Sequence, residues 1–76
     1  MKKEEVVAKI LEIAEDVLGY SVKSDEKVFA DIDSLDALEI VMNLEREFDI
    51  VIEDESELKG LTIDQVADKL ITTYEL

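Results

Sequence analysis

Apolar residues recur along this chain at the spacing of a helix and not of a strand, which confines the fold to packed helices. Val6, Val7, Ile10, Leu11, Ile13, Ala14, Val17 and Leu18 keep the i, i+3, i+4, i+7 pattern over about Lys3 to Leu18. Gly19 then stands where a left-handed residue would end that helix. Tyr20 to Ile32 has no such period and holds Ser24, Asp25 and Asp31; it reads as a loop pinned to the core by Val28, Phe29 and Ile32. A second helix is expected over about Ser34 to Phe48. The acidic stretch Asp49 to Gly60 is expected to hold one short helical turn near Glu55 to Leu58. Thr62 and Gln65 have capping-box spacing ahead of Val66, Ala67, Leu70, Ile71 and Tyr74, which mark the last helix. The expected fold is therefore all-α: a small four-helix bundle with three main helices, a short third helix, and a long loop between helices one and two. The chain has no proline, internal repeat or low-complexity run to interrupt it.

At 76 residues, 38% charged and 47% hydrophobic, residues 1–76 are expected to form a single domain. Such a chain buries only about 60% of its unfolded surface, so its stability should be modest. Cysteine and histidine are both absent, which removes disulfides, thiolate nucleophiles and the usual soft-metal ligands. No metal site, no catalytic residues and no enzymatic activity are expected. Asp31, Asp33 and Asp36 invite comparison with a calcium loop, but an EF-hand counted from Asp31 needs glycine at its sixth place and glutamate at its twelfth. Those places hold Asp36 and Met42. Near the N-terminus Glu4, Glu5, Glu12, Glu15 and Asp16 break the apolar stripe too often for a signal-peptide core or membrane span. A cytoplasmic monomer that does not insert into membranes is expected.

The formal net charge is -13, and its distribution carries more information than its size. Between Asp31 and Glu57 eleven acids face one base, Arg46, so that segment holds ten of the thirteen net negative charges. Nucleic-acid binding needs clustered Lys and Arg and is not expected. One face should instead steer basic partners, at the cost of self-repulsion at low salt.

The second helix has too many apolar residues for one buried stripe. At about 100° per residue, with Leu35 at zero, Ala37, Ile40, Val41, Leu44 and Phe48 cluster as a core face. Leu35, Leu38 and Met42 form a separate stripe bordered by Glu39, Glu45, Arg46 and Asp49. Two readings follow: an acid-framed docking strip, or a central helix whose second stripe packs under the long loop.

Ser34 stands at the same end of this helix. In the plainer reading Asp33 or Ser34 only caps it, with Asp36 reaching back as the third residue of a capping box. However, a hydroxyl in a first helical turn is accessible, and the free N–H groups and positive dipole end there can hold a phosphodiester. The acids Asp33 and Asp36 would oppose an uncatalysed reaction, so modification would require an enzyme supplying cations or a metal.

From Asp33 to Ile50 the string DSLDALEIVMNLEREFDI, which opens on Asp-Ser-Leu, resembles the acyl carrier protein family, and the resemblance covers most of the chain. It implies that Ser34 carries a covalent 4'-phosphopantetheine arm whose thiol holds an acyl group for fatty-acid, polyketide or other lipid biosynthesis. It also implies that Asp33, Leu35, Asp36, Glu39, Met42, Glu45 and Glu47 form the surface partners read, with Leu38 at a position usually held by a small apolar contact residue. The implied partners are a phosphopantetheinyl transferase and acyl-transfer or synthase enzymes with basic docking patches. An aminoacyl or peptidyl carrier, and an unmodified acidic adaptor using Leu35, Leu38 and Met42, are the alternatives. The approach to the serine, Phe29-Ala30-Asp31-Ile32-Asp33-Ser34-Leu35, is three residues shorter than the fatty-acid-type pattern and lacks its glycine, so the loop must take a different path. Ile52-Glu53-Asp54 lacks the family's frequent proline, and Arg46 stands where an acid is frequent.

Overall fold

The computed structural model describes residues 1–76 as α1 (Lys3–Leu18), α2 (Val28–Asp31), α3 (Ser34–Phe48), a 3-10 turn (Glu55–Leu58) and α4 (Ile63–Tyr74). Each main helix starts and stops on a local device. Glu5 reaches back from α1 to accept the Lys2 N–H at 3.1 Å, and Gly19 ends the helix in the left-handed region, φ 80°. α4 opens on a reciprocal box in which Thr62 Oγ1 accepts from Gln65 N at 3.1 Å and Gln65 Oε1 from Thr62 N at 2.9 Å. The N–H groups of Ile63 and Asp64 donate to the carbonyls of Glu26 and Ser24, which docks the first loop on the start of α4.

α1 packs against both α3 and α4, and all fifteen buried residues are apolar. Val6, Ile10 and Ala14 of α1, Ile40, Val41, Leu44 and Phe48 of α3, and Ile63, Val66, Ala67 and Leu70 of α4 supply most of this core. Leu58, 1% exposed, anchors the 3-10 turn to it. The radius of gyration, 10.9 Å, is near the roughly 11 Å expected of a compact chain of this length. No helix is long and apolar enough to cross a membrane.

One expectation needs correction, and one of the two readings left open for α3 falls away. Tyr20 to Ile32 is not wholly loop, because Val28–Asp31 closes a short α-helix; four residues are too few to display a period, and it is the burial of Val28 and Phe29 that holds the turn in place. The loop is pinned as expected by Val28, Phe29 and half-buried Ile32, with buried Val22 as a further anchor. Nor does the second stripe of α3 pack under that loop: Leu35 is 77% exposed, Leu38 43% and Met42 48%.

Candidate functional site

α3 begins on Asp33, whose backbone is extended and whose Oδ1 accepts the Asp36 N–H at 2.9 Å. Asp33 is therefore the cap. Asp36 contributes its N–H to this contact, and its carboxylate does not reach back to the Asp33 N–H, so the expected box is half formed. Ser34 is the first helical residue and exposed, and its hydroxyl makes no hydrogen bond within the chain. The Ala37 N–H goes to the Asp33 carbonyl, which leaves the N–H groups of Ser34 and Leu35 without protein acceptors. A free hydroxyl thus lies beside two free donors at the positive end of a fifteen-residue helix, where an anionic group is favoured.

Beside Ser34 a cleft of about 200 Å³ opens between the start of α3 and the 3-10 turn. Phe29, Ile32 and Ala37 form its apolar floor; Glu55, Ser56 and Lys59 form its polar rim. Lys59 makes no ion pair, so the one cation of this cleft is available to an anion bound near Ser34. Sequence reasoning gave Phe29 and Ile32 only an anchoring role and missed Lys59 and Ser56. Nothing in their spacing links them to Ser34; the 3-10 turn brings them there by burying Leu58. That turn is pinned by Asp54, whose Oδ1 accepts from Ser56 N at 3.0 Å and Ser56 Oγ at 2.6 Å. The Ser56 hydroxyl, and next its N–H, hold the Asp54 carboxyl below its ordinary pKa.

The residues expected to meet partners separate into two groups. Leu35, Asp36, Leu38, Glu39 and Met42 line one surface groove together with Asn43 and Arg46. Asp33 is exposed beside it as the helix cap. Glu45 and Glu47 are not brought to this groove. Glu45 Oε2 turns inward to accept the Ile52 N–H at 2.8 Å, in a part-buried contact, and Glu47 lies 3.9 Å from Lys9 across the α1–α3 junction.

A family model described as "Phosphopantetheine attachment site" matches residues 8–70. A chloroplastic acyl carrier protein of Brassica campestris is 44% identical over 97% of this chain, and this chain spans 59% of that relative's length. An acyl carrier protein of an Exiguobacterium species is 41% identical, with 87% of this chain and 90% of the relative covered. One from Chlorobium phaeobacteroides is 33% identical over 93% of this chain and 97% of the relative. No solved structure matches. With a site-bearing family model over most of its residues and relatives covered nearly end to end, the chain belongs to the acyl carrier protein family.

Proposed function

We propose that residues 1–76 act as one carrier domain in which Ser34 Oγ bears the 4'-phosphopantetheine arm. The observation that carries this reading is the exposed, unbonded Ser34 hydroxyl beside the free N–H groups of Ser34 and Leu35. Those donors and the α3 dipole suit a phosphodiester, and the flanking cleft with Lys59 on its rim has room for the first part of an arm. When attached, the arm supplies a thiol that holds an acyl group as a thioester. The chain's own part is to tether, to neutralise the phosphodiester at the helix start, and to give partner enzymes an address on α3.

In loading, the phosphorus–oxygen bond to Ser34 forms as adenosine 3',5'-bisphosphate leaves coenzyme A. The serine proton passes to a base of the transferase, in keeping with a chain that supplies no catalysis of its own. Basic transferase and synthase surfaces are the partners proposed for the acidic face, with the protein itself supplying no catalysis. Incubation with coenzyme A, magnesium and a phosphopantetheinyl transferase should add the mass of one arm to the wild type and none to Ser34→Ala. An unchanged wild type across several transferases would point to the unmodified adaptor instead.

A further inference from the structure

The 3-10 turn beside Ser34 is lightly held. Between Asp49 and Thr62 only Leu58 is buried. Three backbone hydrogen bonds shape the turn: the Glu57 N–H donates to the Asp54 carbonyl at 3.2 Å, the Lys59 N–H to Ser56 at 3.2 Å and the Leu61 N–H to Leu58 at 3.1 Å. A segment with one buried side chain among exposed residues opens locally at low cost. Anything that ties it to α3 therefore registers as added order in the turn.

The polar rim of the cleft leaves one side-chain donor free for an anion on Ser34. The Ser56 hydroxyl and N–H both go to Asp54 Oδ1, at 2.6 and 3.0 Å, which occupies the serine and the aspartate together. Lys59 has its backbone held by Ser56, and its ammonium makes no ion pair. Its flexible four-carbon stem lets that charge swing across the cleft it shares with Ser34. Glu55, on the same rim, carries the opposing charge, which repels a phosphodiester and competes for the ammonium. A phosphodiester bonded to Ser34 has the advantage of tethering: it meets Lys59 at the high effective concentration of a group already attached to the chain.

We propose that Lys59 is a positioning residue for the loaded arm: its ammonium pairs with the phosphodiester on Ser34 and ties the 3-10 turn to the start of α3, so that the turn is more ordered loaded than unloaded. The inference rests on the carrier reading. It goes beyond that reading by making attachment of the arm felt in a segment remote from Ser34 in sequence. The coupling is reciprocal: a turn held in place keeps the first part of the arm against the cleft, and Glu55 works against both.

Protein loaded by a phosphopantetheinyl transferase with coenzyme A and magnesium is compared with unloaded protein, once intact mass has counted one arm per chain. Amide hydrogen exchange is read by NMR at low salt for Glu57, Lys59 and Leu61, with Ile10 and Leu44 in the core showing that each variant is folded. Loading should slow exchange in the turn by about threefold, the scale of an exposed charge pair. The difference should fade toward about 1 M salt, where the screening length is about 3 Å. Lys59→Met should remove it, Lys59→Arg should keep it, and Glu55→Gln should enlarge it. Equal exchange in loaded and unloaded wild type, or a slowing that survives Lys59→Met or high salt, would overturn the proposal and leave the carrier reading intact. A wild type that gains no arm overturns both.

Discussion

Asp49 holds φ at 55°, a conformation that costs a non-glycine residue about 1 kcal/mol or more. It does so at the C-terminus of α3, where its negative charge also opposes the helix dipole. Asp49→Gly is expected to raise stability by about 0.5–1 kcal/mol in urea melts; Gly19→Ala, at φ 80°, should lower it by a similar amount. Gly19 was legible from sequence because glycine after an apolar period is a familiar stop, whereas aspartate in the same role gives no such sign. Lys3 supplies a second residue-level test. Its ammonium donates to Asp64 at 3.0 Å and Asp68 at 3.1 Å, and these hydrogen bonds hold its pKa above the ordinary 10.5. A group whose pKa is raised on folding adds stability that is complete below 10.5 and is lost as pH rises through the raised value. The difference in melting temperature between wild type and Lys3→Met should accordingly be constant near neutrality and shrink above 10.5. A difference independent of pH would assign Lys3 a packing role only.

α1 and α3 end in the same way, a likeness that periodicity does not expose. Glu15 gives its carbonyl to the Gly19 N–H and its Oε2 to the Val22 N–H at 3.0 Å. Glu45 gives its carbonyl to the Asp49 N–H and its Oε2 to the Ile52 N–H at 2.8 Å. In each case the last turn of a helix clamps the chain seven residues on, and so directs the following loop back over the core. Glu45→Ala should lower stability by about 1–2 kcal/mol, as loss of a charged acceptor from a part-buried N–H does, with Glu45→Gln retaining part of it. Denaturant unfolding measures both; an unaffected Glu45→Ala would return that carboxylate to the partner surface. The helices themselves were legible because five to eight apolar residues in each kept one period. The Glu55–Leu58 turn was legible in position, but not the burial of Leu58, which a lone leucine among acids does not announce. Its truncation, Leu58→Ala, should cost about 3 kcal/mol and loosen the cleft beside Ser34.

Across the whole molecule the acids outnumber what the cations can pair. Of the eleven between Asp31 and Glu57, only Glu47 and Glu57 lie within ion-pair distance of a lysine, and all four ion pairs of the chain are exposed. Surface pairs of this kind contribute about 0–1 kcal/mol each, too little to offset repulsion within a domain that carries -13. Added salt or divalent cation should therefore raise the melting temperature by screening; a flat response would mean that the acids are spaced harmlessly. Ser34, its cap Asp33 and the second apolar stripe of α3 were legible in sequence because they follow one another along a single helix and its cap, but the exposure of that stripe was not, since a helix packed on two sides carries the same pattern. Lys59, Ser56 and the inward turn of Glu45 were not, because each depends on where a loop returns. Whether Ser34 bears the arm is read from peptide mapping of protein isolated from its native cell. Tryptic cleavage after Lys27 and Arg46 releases a peptide in which Ser34 is the only hydroxyl-bearing residue. That peptide should carry the phosphopantetheine mass, with fragmentation placing it on Ser34. A peptide found unmodified while the mass resides on another, such as the one holding Ser56, would contradict the account.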